Sequence, residues 1–401
     1  MASGLKYNAN SGGGTPSSSL TDLEDVFVSR DYFTNGNLWT WGNNGNGQLG
    51  LGTTLVGTTN NFGIGKPIAL TNATNWKQVV ANSSSSAAIK TDGTLWTWGF
   101  GYYGHLGSGS TVDRNSPVQV GTLTNWSSIS NSEASLYGAV KTDGTLWMWG
   151  RNDYGQCGVG STLGRSSPTQ VGTLSNWKLV SCGSYMSAAI KTDGTLWTWG
   201  WNQYNNLGTN NTINRSSPVQ VGTLTDWSKI SCNWMGVLAI KTNGSLWAIG
   251  NAAALTYFLS SPVQIGTLTD WSLVLSGSYS NFGIRSNGTL WAWGGNSRYE
   301  LGLGDSIARS SPTQVGSLTN WKDFAAPSGC GYSMAVRKTD GSIWGWGYNY
   351  GQFGDGVSMQ NPSQSQYYIK SPVQLPLPYK IWNSLSINGE HGIATVLDDG
   401  L

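Results

Sequence analysis

The chain has 401 residues, 56 of them glycine and 22 tryptophan, with only 10% charged residues and a formal net charge of +2. This near-neutral balance offers no general attraction for nucleic acid or an anionic membrane, since both want a basic patch or tail. Cys157, Cys182, Cys232 and Cys330 lack CxxC spacing and have only His105 and His391 as company, which excludes a recognisable zinc set.

Residues 1–30 are rich in glycine, serine and proline and read as a flexible arm, able to order by docking onto a larger assembly. The first residues lack the charged and apolar regions of a signal peptide, and no apolar stretch in the chain is long enough to span a membrane. Neither Sec-type export nor membrane insertion is therefore expected.

From residue 31 to residue 401 the chain repeats itself. A tryptophan follows Leu or Ile just after an Asp-Gly or Asn-Gly pair at Trp39, Trp96, Trp147, Trp197, Trp247, Trp291 and Trp344. Between these lie a proline segment (Pro67, Pro117, Pro168, Pro218, Pro262, Pro312, Pro372) and a WxxV-like segment (Trp76, Trp126, Trp177, Trp227, Trp271, Trp321, Trp382). Each mark occurs seven times, about fifty residues apart.

The second copy shows the strands: WKQVV, SAAIK, TLWTWG and SPVQV. Asp92-Gly93 joins the second strand to the third, and a two-residue hairpin with both residues at positive φ is the expected turn. Alternation in TLWTW puts Trp96 and Trp98 on one face and Leu95 and Thr97 on the other. A four-stranded sheet with bulk on both faces is stable only between two neighbours, so seven copies predict an all-β, seven-bladed β-propeller.

The chain ends indicate how the ring closes. The first copy enters at TNGNLWTWG and the last stops at GIATVLDDGL, so one blade is expected to combine C-terminal strands (WNSLS, GIATVL) with N-terminal ones (NLWTWG, KPIAL). VFVSRDYF at 26–33 is a rival partner for NLWTWG. Twenty of the 22 tryptophans occupy motif positions, all but Trp201 and Trp234, so tryptophan here signals packing.

Catalytic, cofactor and metal signatures are not found. His105 stands where other copies carry Gln48, Gln156 and Gln352, and reads as a polar loop residue. His391, beside Glu390, sits in a turn with no recurring orienting partner. Asp92, Asp143, Asp193 and Asp340 support turns, and Cys182 and Cys232 share a small-residue position on the first strand. The chain reads as a non-enzyme with no cofactor.

Two basic sets recur, Lys66, Arg114, Arg165, Arg215, Arg309, Lys370 and Lys90, Lys141, Lys191, Lys241, Arg285, Lys338. Either is able to form a positive crown, although solvation or pairing with nearby aspartates is the favoured reading. The better binding candidates are aromatics in the loop after each tryptophan pair, with Phe100 and Tyr102 beside Tyr103, Tyr154, Trp201, Tyr204, Tyr299, Tyr348 and Tyr350. Loop length points the same way. The motif tryptophan lies 21 residues before the proline in copies two, three, four and six, 15 in copy five, and 28 in copies one and seven. The two long loops, neighbours across the closure, add Phe62, Met359, Tyr367 and Tyr368.

The pattern DGTLWTWG-x-N-x-x-GQLG followed by SPVQV and WxxVS resembles the regulator of chromosome condensation repeat family over about residues 31–401. The resemblance implies a seven-bladed propeller; function does not transfer with the fold, because roles in the family are unrelated. They run from GTPase exchange with chromatin binding to β-lactamase inhibition by a related propeller and ultraviolet sensing. Three readings are open. The preferred one is a protein-interaction scaffold on a virion, a phage tail or capsid appendage, docked to particle proteins through 1–30 and displaying loops to a host protein or glycan. The second is an intracellular, cytoplasmic regulator of a small GTPase or chromatin, and the third a secreted inhibitor or carbohydrate-binding propeller.

Overall fold

A computed structural model describes residues 37–54, 63–70, 75–234, 236–251, 258–325, 331–349, 351–356, 368–377, 382–387 and 390–396. They contain twenty-eight strands, β1–β28 in chain order, and no helix. The arm at 1–30 and the segment 26–33 lie outside the described residues, as do Cys330, Phe62, Tyr350, Met359 and Tyr367.

The strands form seven four-stranded antiparallel sheets. In blade 1 these are β3 (Trp76–Ala81), β4 (Ser85–Lys90), β5 (Leu95–Gly99) and β6 (Arg114–Gln119). The closing blade has the order β2-β1-β28-β27, joining β27 (Trp382–Ile387) and β28 (His391–Val396) to β1 (Leu38–Asn43) and β2 (Gly63–Leu70). Both edges of β1 are thus paired, by β28 and β2, and the clasp of chain ends is the one expected. The proline segment forms the outermost strand, where a missing N–H is tolerated.

The first strands of successive blades stand side by side around a central channel. A serine belt ties several of them together. Ser386, Ser130, Ser181 and Ser231 each accept, at Oγ, the backbone N–H of Ala81, Cys182, Cys232 and Ser276 in the next blade, at 2.8–3.1 Å. Ala325 stands at the serine position in its blade, and there its carbonyl takes the Ile387 N–H directly at 2.7 Å. The serine of WxxVS is therefore an inter-blade strut.

The core lies between blades. Leu136, Leu146, Met148 and Val171 of one blade pack against Trp177, Cys182 and Trp199 of the next, and the same layering recurs around the ring. In each tryptophan pair the second indole is fully buried and reaches the preceding blade. Trp98, Trp149, Trp199 and Trp346 donate Nε1–H to the carbonyls of Gln48, His105, Gln156 and Glu300 at 2.7–2.9 Å. Burying such a ring with its N–H satisfied contributes on the order of 3 kcal/mol.

The hairpin differs from the expected two-residue turn. Gly93 alone has positive φ (79°), and the loop is Thr91-Asp92-Gly93, closed by Gly93 N–H to Lys90 O and Lys90 N–H to Thr94 O. Asp92 stays at negative φ because its carboxylate caps the start of the third strand, accepting the Thr94 N–H at 2.9 Å and hydroxyl at 2.7 Å. Thr94 Oγ1 in turn accepts the Trp96 indole N–H at 2.9 Å, so turn and tryptophan are one unit. Gly93 also offers its carbonyl to the Trp126 N–H of the next blade, and a Cβ there would sit 2.0 Å from the Thr124 carbonyl. The recurring ten residues carry hairpin, indole and docking point together.

The second basic set is neither a crown nor a solvated fringe. The ammonium groups of Lys141, Lys191 and Lys338 lie 3.5–3.7 Å from one indole centroid and 4.7–4.9 Å from another, and the side chains are buried. Desolvation lowers their pKa values, partly offset by the hairpin aspartates. Where arginine replaces lysine, Arg285 makes two bonds to Asp270 at 2.7–2.8 Å.

Candidate functional site

Strand order places the turns between first and second strands, and the loops between third and fourth, at one end of the channel. The hairpins and the blade-to-blade connections lie at the other. All the loop aromatics therefore share the first end.

The loops there are braced from within. Asn152 Oδ1 accepts the Cys157 N–H at 2.8 Å, while its amide donates to the carbonyls of Ser161 and Leu163. Asn202 and Asn296 do the same in their blades. These asparagines are buried and brace each loop from inside.

On this frame the aromatic rings touch across blades. Phe100 stacks on Tyr102, Tyr102 meets Tyr103 edge-on at 5.1 Å, and the Arg151 guanidinium bridges Tyr103 and Tyr185 at 5.6 and 5.4 Å. Tyr154 and Trp201 continue the row to Tyr204, which stacks on Phe258 at 4.8 Å. A second group lies further round the ring: Tyr279 stacks on Tyr332, Arg298 lies 3.7 Å over Tyr332, and Tyr348, Tyr368 and Tyr299 adjoin.

Of the residues expected from the sequence, Tyr103, Tyr154, Trp201 and Tyr204 are brought into one row, and Tyr368 belongs to the second group. Tyr102 is 66% exposed, Tyr279 52% and Tyr204 47%, whereas Tyr154, Trp201 and Tyr368 are half-buried supports. Gly356 N–H bonds to Gly65 O at 2.9 Å, which joins the described ends of the two long loops. Tyr185, Tyr279 and Tyr332 were not singled out by sequence reasoning. Their signal was a tyrosine recurring just before the second strand, in GSYMS, GSYSN and GCGYS.

The residue that sequence reasoning missed altogether is Glu133. It lies in the turn between the first two strands of blade 2, Trp126–Asn131 and Leu136–Lys141. From first-strand tryptophan to the basic residue closing the second strand, blade 2 spans 15 residues (126 to 141) where blades 1, 3, 4 and 5 span 14. The extra residue widens the turn, so that Ser132 N–H bonds to Leu136 O, and Ser135 takes φ 62°. Glu133 is thereby carried over the channel to Ser278, whose hydroxyl donates to Oε2 at 2.9 Å from three blades away. Burial pushes the carboxyl up to about 7, against the opposing effect of that hydrogen bond.

Both histidines are packing residues. His105 lies parallel to Tyr137 with neither ring nitrogen hydrogen-bonded to protein, and His391 shares a 2.8 Å bond with Ser86 through Nε2. Burial lowers their pKa values to about 4 and about 3. Cys157, Cys182 and Cys232 are buried and free, with thiols pushed upward by desolvation. Among the described residues no group of three His, Cys, Asp or Glu side chains is placed to hold a metal.

Comparison with known proteins agrees with this architecture. The chain is 32% identical over 165 residues to the E3 ubiquitin-protein ligase HERC2 of Homo sapiens, covering 38% of this chain and 3% of that protein. It is 31% identical over 203 residues to the ultraviolet-B receptor UVR8 of Arabidopsis thaliana, 37% of this chain and 45% of the receptor. The chain thus spans less than half the length of either relative. Among solved structures, human WBSCR16 superposes with TM-score 0.78 at 16% identity, covering 91% of this chain and all of that one. Prp20p of Saccharomyces cerevisiae, described with its binding to Gsp1p and histones, gives 0.74 at 14% identity over 95% and 96%. The regulator of chromosome condensation (RCC1) repeat profile matches residues 35–89, 92–132, 143–190, 193–240 and 287–336, more than half the chain. With seven repeat-built blades and those matches, this chain belongs to the regulator of chromosome condensation (RCC1) repeat family.

Proposed function

We propose that this chain is a non-enzymatic protein-recognition scaffold of the regulatory kind, which engages its partner through the aromatic end of the channel. One observation carries the reading: exposed tyrosines and stacked arginines form a braced surface across several blades. Tyrosine and arginine supply large contact area at low entropic cost and dominate protein interfaces. The names of the relatives, a ubiquitin ligase and a light receptor, and the binding of Prp20p to Gsp1p and histones lend support to a regulator over a particle component. The virion reading rests on composition and on the 1–30 arm, and finds no support among these relatives.

The test is photo-crosslinking of the whole chain in extract of its native source. A benzophenone amino acid replaces Tyr103 or Tyr279 at the aromatic end, or Leu174 or Leu318 at the hairpin end. One protein captured from both tyrosine positions and from neither leucine is expected. Capture from the leucines alone would reject the assignment, and a small GTPase or histone as the captured species would fix the regulatory class.

A further inference from the structure

We infer that the channel mouth is a lysine-recognition subsite, in which Glu133 receives the ammonium group of a partner's lysine side chain beside the Tyr279–Tyr332 stack. The inference rests on the reading of this end as the recognition surface, and names the chemistry recognised there.

Three observations carry it. The Glu133 carboxylate crosses from blade 2 to Ser278 of blade 5, and its Oε1 lies 3.7 Å from where a Cβ on Gly331 of blade 6 would be, so it lies over the axis. No cation among the described residues pairs with it, although the carboxylate is half-buried and held by a single serine hydroxyl. Beside it, next in sequence to Ser278 and Gly331, the rings of Tyr279 and Tyr332 lie 5.3 Å apart and 12° from parallel. A carboxylate beside an aromatic ring is the environment an alkylammonium ion favours, and with Arg298 already 3.7 Å over Tyr332, Tyr279 is the ring left to it.

The donor set selects lysine over arginine. Oε2 already accepts the Ser278 hydroxyl, which leaves Oε1 as the less encumbered oxygen for a newcomer. A guanidinium gains most from a two-oxygen fork, whereas an ammonium acts as a point charge on a flexible stem and is served by one oxygen. A channel cavity of about 290 Å³ adjoins the mouth, lined by Ile129, Ile230 and Leu273 together with Ser181, Ser231 and Asp323. The extra residue in the blade 2 turn, with Ser135 held at φ 62°, is what sets its path apart from the 14-residue blades.

The experiment titrates the intact chain with acetyl-Gly-Lys-Gly-amide and with its norleucine and arginine counterparts, read by saturation-transfer NMR. The lysine peptide is expected to bind about tenfold or more tightly than the norleucine peptide, and more tightly than the arginine peptide. Glu133→Gln, which keeps shape and the Ser278 bond, is expected to remove that preference and leave the norleucine peptide unchanged. Equal binding of lysine and norleucine, an unaltered preference in Glu133→Gln, or arginine ahead of lysine would overturn the subsite. Failure of the recognition surface is a separate result: the peptides would discriminate as stated while the tyrosine positions crosslink nothing.

Discussion

The two ends of the channel are made on different plans. At the hairpin end, Asp92, Asp143, Asp193 and Asp340 each bind a following Thr or Ser, which binds a tryptophan, and Asn243 and Asn287 do the same. At the aromatic end almost every turn differs: Ser84 in one blade, Glu133 in the next, then Tyr185, Tyr279 and Tyr332. Regularity marks what every blade needs in order to hold its neighbour. Variation marks what only one blade has to do, and on a rigid ring that is where recognition belongs.

The contrast is broken most sharply by a substitution in the regular layer. Trp199→Ala removes a fully buried ring and its bond to Gln156 O, and should cost about 3–5 kcal/mol in denaturant unfolding. A cost under about 1 kcal/mol would mean that the indole layer does not hold the blades. At the other end, the pair Tyr204→Ala and Tyr279→Ala should weaken capture of the partner by about tenfold or more and leave the melting temperature close to that of the parent chain. A large loss of stability there would recast those tyrosines as packing.

Acid sharpens the comparison further. His105 and His391 have folded pKa values of about 4 and about 3, below the ordinary 6.5, so the unfolded chain binds more protons between those limits. Their contribution is complete above pH 6.5 and falls as pH drops toward 4, by up to about 1.4 kcal/mol per unit for each histidine. His105→Gln, the residue other blades carry, should flatten part of that acid limb, measured as unfolding free energy from pH 7.5 to 4.5. An unchanged slope would show that His105 is already protonated in the fold. The smallest effect is expected for Lys191→Met. Its cation–π gain is offset by desolvation, so a change within about 1 kcal/mol is predicted, and more than about 2 kcal/mol would give the charge a structural role.

Much of this was legible in the residues. Seven copies of Trp, Pro and WxxV announce seven blades, and the incomplete repeats at 31–70 and 382–396 announce the shared one. The aromatic loops were legible as a set, because an unpaired Tyr103 or Tyr204 after each packing motif stands out against a constant background. The lysine sandwich was not, since a Lys before Asp-Gly looks the same whether it faces water or two indoles. Nor was the turn type, because Asp-Gly serves both the two-residue turn and the three-residue turn that the Thr94 cap selects.

By itself, then, the sequence determined the fold, the blade count, the closure and the end of the ring that varies. Each of these depends on short-range pattern repeated often enough to average out exceptions. Tertiary structure alone decided that Ser386 reaches Ala81, that Arg151 joins Tyr103 to Tyr185, and that Glu133 meets Ser278, 145 positions later. Such contacts exist only once the ring has closed, when the curvature of seven packed sheets brings blades 2 and 5 to opposite sides of one narrow channel.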